Sequence, residues 1–368
     1  MSKLRAFAKR KNVEVSLRRY GIDALGAMAQ GLFCTLLVGT ILDTLGTQLG
    51  IGFLRAKLFE INGVGYTIGK FASSMVGPGM AAAIGFALGA PAMVLFSLIP
   101  VGYATNLMGG AGGPLAVYVV AIAATELGKL VSKETKIDIL VTPIVTVISG
   151  VGLAYLVAAP IGSAAMAVGD VIKWAMAKQP FVMGIVVSVT VGIALTLPIS
   201  SAAICQALSL TGLAGGAALA GCCANMVGFA VASFKEKGWG GVVSQGLGTS
   251  MLQMGNIVRN PKIWIPAIAA SAVTGPVATC VFGLEMNGAA VSSGMGTCGL
   301  VGPIGVWTGW ANPSAEALLD GAAAYSPAAM DWIGLALICV VLPAVLSWIF
   351  SRLCRRLGWI KDGDMKLE

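Results

Sequence analysis

The chain has 368 residues, of which 57% are hydrophobic and only 11% charged, with a formal net charge of +8. A soluble globular protein carries about 25% charged residues, so this composition excludes that class and most nucleic-acid binders with it. The absence of histidine further excludes histidine metal sites, histidine general bases and a phosphohistidine on this polypeptide.

Taken from the N-terminus, residues 1–20 form a basic arm, with Lys3, Arg5, Lys9, Arg10, Lys11, Arg18 and Arg19 against Glu14 alone. Leu4, Phe7 and Ala8 give it the pattern of an interfacial helix, and no cleaved signal peptide follows it. Charge-free runs then cover Phe71–Thr125, Ile139–Gly169, Gln179–Phe234, Ile263–Leu284 and Trp332–Ser351. A spanning helix needs about 20 apolar residues, so the longest runs hold two spans each. The pattern predicts an all-α polytopic membrane protein with about ten transmembrane helices, eight being the alternative. Spans are expected to begin near Ile22, Tyr66, Ala90, Leu115, Ile137, Phe181, Gly212, Trp264, Val281 and Asp331.

An N-terminal half, residues 21–160, is separated from a C-terminal half, 179–351, by an amphipathic connector, 161–178, bearing Asp170, Lys173 and Lys178. A basic tail, 352–368, follows. Arg352, Arg355, Arg356 and Lys361 in that tail, against the acidic 311–331 loop, place both termini in the cytoplasm by the positive-inside rule. The eight cysteines show no C-x-x-C spacing and read as small packing residues. Most of the 50 glycines read the same way, because small residues let helices approach closely in lipid.

Two polar stretches, uncharged or nearly so, interrupt the second half. Gly246-Leu-Gly-Thr-Ser-Met251 runs on through Gln253 and Asn256 to Arg259-Asn-Pro-Lys262. The second, from Leu284 to Gly299, holds Glu285, Asn287, Ser292, Ser293 and Thr297. Non-helical backbone survives at membrane depth only inside protein or beside a wet cavity, and such interruptions point to a transporter's binding site. Each stretch is expected to be a re-entrant hairpin. Thr249, Ser250, Gln253, Asn256, Glu285, Asn287, Ser292 and Ser293 are the candidate binding residues. Hydroxyls and amides both donate and accept hydrogen bonds, which suits a neutral sugar. No metal or cofactor ligands and no catalytic residue are expected, and no nucleic-acid partner.

Asp138-Ile-Leu-Val-Thr-Pro-Ile-Val-Thr-Val-Ile-Ser-Gly150, Gly109-Gly-Ala-Gly-Gly-Pro-Leu-Ala-Val-Tyr118 and the Gly248-Thr249-Ser250 hairpin with its trailing Asn260-Pro261 carry a family likeness. The chain resembles the membrane subunit (EIIC) of the sugar phosphotransferase system, in its fructose and mannitol branch, and most closely the EIIC-like family of the perfringolysin regulator PfoR. The resemblance implies a homodimer in the bacterial cytoplasmic membrane, an N-terminal scaffold, and a C-terminal transport half that moves like an elevator. It also implies a separate cytoplasmic EIIB-type partner. Where the family's hairpin has a glutamate that contacts the sugar, this chain has Met251, and its nearest polar substitute is Gln253. A phosphotransfer role is thereby separated from binding. A metabolite sensor that regulates gene expression without transport, and an ion-coupled carrier using Glu285, are the alternative readings.

Overall fold

The computed structural model describes residues 3–48, 50–61 and 63–367. The first two residues of the basic arm and the last residue of the tail lie outside them. Contacts divide the chain into two compact units, Met1–Ala164 and Ala165–Glu368.

Among the described residues six helices are long and apolar enough to cross a membrane: Arg19–Thr47, Ala92–Val131, Asp138–Met176, Gly212–Ala232, Pro261–Val281 and Ala329–Arg356. Shorter apolar helices cover Val76–Ala87 and Pro180–Thr196. The protein is therefore an all-α multi-pass membrane protein. The 40-residue Ala92–Val131 run is about 60 Å of helix at 1.5 Å per residue, twice a bilayer core. It folds back on itself at Gly110, whose φ of 50° suits glycine, giving two arms, Ala92–Gly109 and Gly113–Val131.

Three expectations need correction. Residues 161–176 are not a separate connector, because one helix runs unbroken from Asp138 to Met176. Pro143 and Pro160 lie inside it, a placement that membrane helices tolerate better than soluble ones. No span begins at Tyr66, which ends the Val64–Tyr66 strand paired antiparallel with Phe59–Ile61. The apolar helix starts later, at Val76. Nor does a continuous span begin at Val281. The backbone from Phe282 to Ala289 is irregular, and only the four-residue Ala290–Ser293 helix precedes Val301–Ala311.

In the first unit the helices meet through glycines. A Cβ on Gly77 would lie 2.3 Å from the carbonyl oxygen of Gly102, and one on Gly31 would lie 2.4 Å from that of Gly79. Small residues thus set the helix spacing. One polar cluster is buried among them. The Lys129 side chain is 1% exposed and its Nζ stands 3.0 Å from Glu126 Oε2, while donating to the carbonyls of Leu88 and Asn12. The Arg19 Nε lies 3.9 Å from the same carboxylate. A lone buried charge would be costly, and this pairing offsets that cost. It ties the Gly113–Val131 helix to the segment after the Lys3–Arg10 helix, whose Arg10 reaches Glu134 at 3.0 Å.

Candidate functional site

Three breaks in helical backbone converge inside the second unit. The first follows Pro180–Thr196. Pro198 supplies no N–H and disfavours helical backbone at the preceding residue, so Leu197 is extended, with ψ of 158°. A short helix, Ser201–Ala207, restarts where the Ser200 hydroxyl accepts from the Ala203 N–H at 3.2 Å. In the second break, the π-helical turn Ser244–Gly248 ends at an extended Thr249. The third is the turn Gly294–Leu300, where Gly296, Gly299 and Leu300 all have positive φ.

Hydroxyl groups tie these breaks together. Thr196 Oγ1 and Ser250 Oγ are 2.8 Å apart. Ser201 Oγ donates to the Gly294 carbonyl at 2.7 Å, and Thr297 Oγ1 donates to the Gly246 carbonyl. The Gly212–Ala232 helix runs through the middle, buried along nearly its whole length. A Cβ on Gly296 would meet Cys222 at 2.8 Å, so the third break rests against the centre of that helix.

Asn225 organises the same helix. Its Nδ2 donates to the Gly221 carbonyl and to Ser271 Oγ, both at 3.1 Å. Its Oδ1 accepts from the Trp264 indole at 3.0 Å and from Thr196 at 3.3 Å. Among the described residues no charged side chain takes part in this junction. Its donors and acceptors are hydroxyls, amides and carbonyls freed by unwound backbone, which is a neutral, sugar-compatible set.

The eight residues singled out from the sequence do not form one wall. Thr249 and Ser250 lie at the junction, Thr249 accepting from its own Met251 N–H at 3.1 Å. Met251 is buried. Gln253 and Asn256 turn the other way, into an amide ladder that ends on the C-terminal segment. Gln245 donates to Ser233 at 2.7 Å, Gln253 to Gln245 at 2.8 Å, and Asn256 to Gln253 at 2.8 Å. Gln253 and Asn256 also donate to the carbonyls of Met365 and Lys366, at 3.1 and 3.0 Å.

Asn260 extends the seam to the Trp359 carbonyl and Asp364. Met365 and Ile360 are buried in consequence, so this tail segment is folded against the unit. Gln253→Ala leaves Gln245 Oε1 without its donor and frees Met365. It is expected to lower stability by about 1–3 kcal/mol and to speed amide exchange in residues 358–367. Unchanged exchange there would exclude the seam.

The other four lie near the opposite end of the Gly212–Ala232 helix, about 30 Å long. Met286 and Gly212 exchange backbone hydrogen bonds of 2.9 Å, and Ser293 Oγ donates to the Leu210 carbonyl at 2.6 Å. Ser292 lies against Gly305, where an added Cβ would meet it at 2.8 Å. Glu285 is exposed and accepts from Asn287 at 3.0 Å, while the buried Asn287 Oδ1 has no partner. Trp310 is buried and packs edge-on against Trp332 at 4.9 Å. Burial, with Asp331 and Glu285 nearby, pushes the Tyr325 phenol up to about 12.

Sequence reasoning missed Thr196 and Ser201. Their signal is Thr196-Leu-Pro-Ile-Ser-Ser201, a proline flanked by hydroxyls inside an apolar run. Asn225 bridges helices and also touches the junction. Among the described residues no group of three or more Cys, Asp or Glu side chains is placed to hold a metal ion.

Neither the curated proteins nor the solved structures include a match to the chain. A family model does match: Phosphotransferase system, EIIC, over residues 22–367. That match takes in both units, all three helix breaks and the C-terminal seam. The chain thus belongs to the phosphotransferase-system EIIC family, the membrane components of sugar transport that work with a cytoplasmic EIIB partner.

Proposed function

We propose that this chain binds a neutral sugar at the junction of Thr196, Ser250 and Thr297 and carries it across the bacterial cytoplasmic membrane. In this reading the second unit moves like an elevator, within a homodimer whose two termini face the cytoplasm. The single observation that supports it most is the convergence of three unwound segments on hydroxyl side chains with no charge among them. Unwound backbone at helix breaks is where transporters hold polar substrates.

A charged substrate would call for Arg or carboxylate partners, and Glu285 lies near the far end of the central helix. The branch is that of fructose and mannitol carriers, and the type that of the perfringolysin regulator. Met251 favours a second reading, as a metabolite sensor. A methionine cannot position or deprotonate the sugar hydroxyl that receives phosphate, so binding without phosphotransfer fits the residues.

The test is thermal unfolding of the purified chain against neutral sugars, sugar phosphates and organic acids. Binding to the folded state alone raises the melting temperature. A neutral sugar is expected to do so specifically. Ser250→Ala removes one hydrogen bond and is expected to weaken that sugar by about tenfold, with Glu285→Gln unchanged. Stabilisation by no neutral sugar sinks the reading. Uptake into proteoliposomes then separates carrier from sensor.

A further inference from the structure

A cavity of about 430 Å³ opens between the helix Phe234–Val243 and the end of the Ala329–Arg356 helix. Its walls are apolar and aromatic, from Val242, Phe234, Trp239 and Trp348, and Lys235 and Arg352 stand among them. Trp239 is 76% exposed and stacks edge-on against Phe234 at 5.5 Å. Arg352 lies 4.0 Å above the Trp348 ring, a cation–π contact that fixes the guanidinium and leaves its N–H edge free to donate.

Charge decides what fits. Arg355, also on the cavity wall, is committed to Glu236 at 3.0 Å and Asp362 at 2.7 Å. Among the described residues neither Lys235 nor Arg352 pairs with a carboxylate. The cavity therefore presents two uncompensated cations above an apolar, tryptophan-lined floor. It lies where an apolar span gives way to Arg352, Arg355 and Arg356, the level at which basic side chains and tryptophans meet lipid headgroups. A free anion would satisfy the cations but leave the apolar floor unfilled. A zwitterionic lipid would fill the floor but carry its own cation to the site.

We propose that this cavity is a binding site for an anionic phospholipid, with one acyl chain along Trp239 and Trp348 and the phosphate between Lys235 and Arg352. The site bears on the junction, because the helical segment that follows the kink at Gly238 runs through Val243 directly into the π-helical Ser244–Gly248 turn, which ends at the extended Thr249. Lipid in the cavity braces the outer face of that helix.

The test uses the full chain purified in detergent and titrated with phosphatidylglycerol, phosphatidylcholine or inorganic phosphate, with bound lipid counted by native mass spectrometry. Phosphatidylglycerol is expected to be retained in preference to phosphatidylcholine. At about 1 kcal/mol per basic residue near lipid, Lys235→Gln with Arg352→Gln weakens that retention roughly 30-fold. Arg356→Gln, which lies off the cavity, leaves it unchanged. Both replaced side chains are exposed, so the doubly substituted protein is expected to melt like the parent in the absence of lipid.

A second measurement does not depend on those substitutions. Phosphatidylglycerol with brominated acyl chains is expected to quench tryptophan fluorescence, and Trp239→Phe with Trp348→Phe removes most of that quenching. Equal retention of phosphatidylcholine, or quenching untouched by the tryptophan replacements, overturns the proposal. Displacement of the lipid by inorganic phosphate at equal concentration overturns it in favour of a free-anion site. Loss of the site on dimer formation overturns it in favour of an interface between copies.

Discussion

Gly221→Val is expected to leave little or no folded protein, whereas Gly152→Ala in the first unit is expected to melt at or slightly above the parent temperature. A Cβ on Gly221 would lie 1.8 Å from the Ser188 carbonyl oxygen and 2.5 Å from its carbon. These are backbone atoms of the Pro180–Thr196 helix, so no side-chain rotation relieves the clash. The neighbouring crossing is equally tight, with a Cβ on Gly275 falling 2.1 Å from the Gly184 carbonyl oxygen. Prising the helices apart at Gly221 therefore strains both crossings. It also pulls on Ser188, whose hydroxyl bonds to the Ser271 carbonyl. Overpacking a rigid core costs about 1–3 kcal/mol and sometimes more, and here three extra carbons meet backbone. A loss of at least about 4 kcal/mol is expected, a large share of the ~5–15 kcal/mol that holds a domain together. Nothing lies within 4 Å of a Cβ at Gly152, so alanine there gains helix propensity, up to about 1 kcal/mol. Size-exclusion elution and thermal melts in detergent check both variants. A well-behaved Gly221→Val protein would show that the two helices are not in backbone contact.

How much of this was legible in the residues follows from which interactions are local. The membrane class came from charge-free runs, and helices begin at Ala92, Gly113, Asp138, Pro180 and Gly212, close to the starts read from the runs. Both polar interruptions, around 246–256 and 284–299, are real breaks in helix, because glycine and hydroxyl side chains mark them whatever they touch. What could not be read was the direction each polar side chain takes. Gln253 and Asn256 look like binding groups by chemistry, yet their partners are Met365 and Lys366, more than a hundred residues away. Thr196 looks like one more hydroxyl in an apolar run until Ser250 is brought to 2.8 Å. The segment after Val281 is apolar enough to suggest a span, but Gly283 at φ 55° turns the chain instead.

The geometry also shifts where the two polar stretches meet. From sequence they centre on Thr249–Asn256 and Glu285–Ser293. In space the second stretch descends from the Glu285 end to Gly294–Thr297, and Thr297 meets Gly246 beside the middle of the Gly212–Ala232 helix. Charge and the longer amides are left toward the two ends of that helix. Short hydroxyls and open carbonyls gather between them, the kind of partners a polar solute needs in place of water.

Asn225→Leu is expected to destabilise the second unit by about 3 kcal/mol while keeping its helices. Asn225 is fully buried, and leucine, with the same branched skeleton, occupies its space without replacing any polar contact. The losses are unequal. Thr196 keeps Ser250, and Ser271 keeps the Ala267 carbonyl at 2.9 Å. The Trp264 indole N–H, which donates to Asn225 Oδ1 at 3.0 Å, is left without an acceptor, and stranding a part-buried donor costs about 1–3 kcal/mol. The Gly221 carbonyl also loses a donor. If the stranded indole dominates, removing it should repair part of the damage. Trp264→Phe in the Asn225→Leu background is then expected to cost less than Trp264→Phe alone, with a coupling of about 1–2 kcal/mol in the double-mutant cycle. The same cycle reads the junction, since Thr196 loses its second partner and Ser250 its fixed neighbour. Affinity for any stabilising sugar should fall in Asn225→Leu and stay low in the double variant with Trp264→Phe. Additive stabilities would place the cost elsewhere in the core. Recovery of sugar affinity together with stability would show that Asn225 serves the fold alone and that Thr196 needs no anchor.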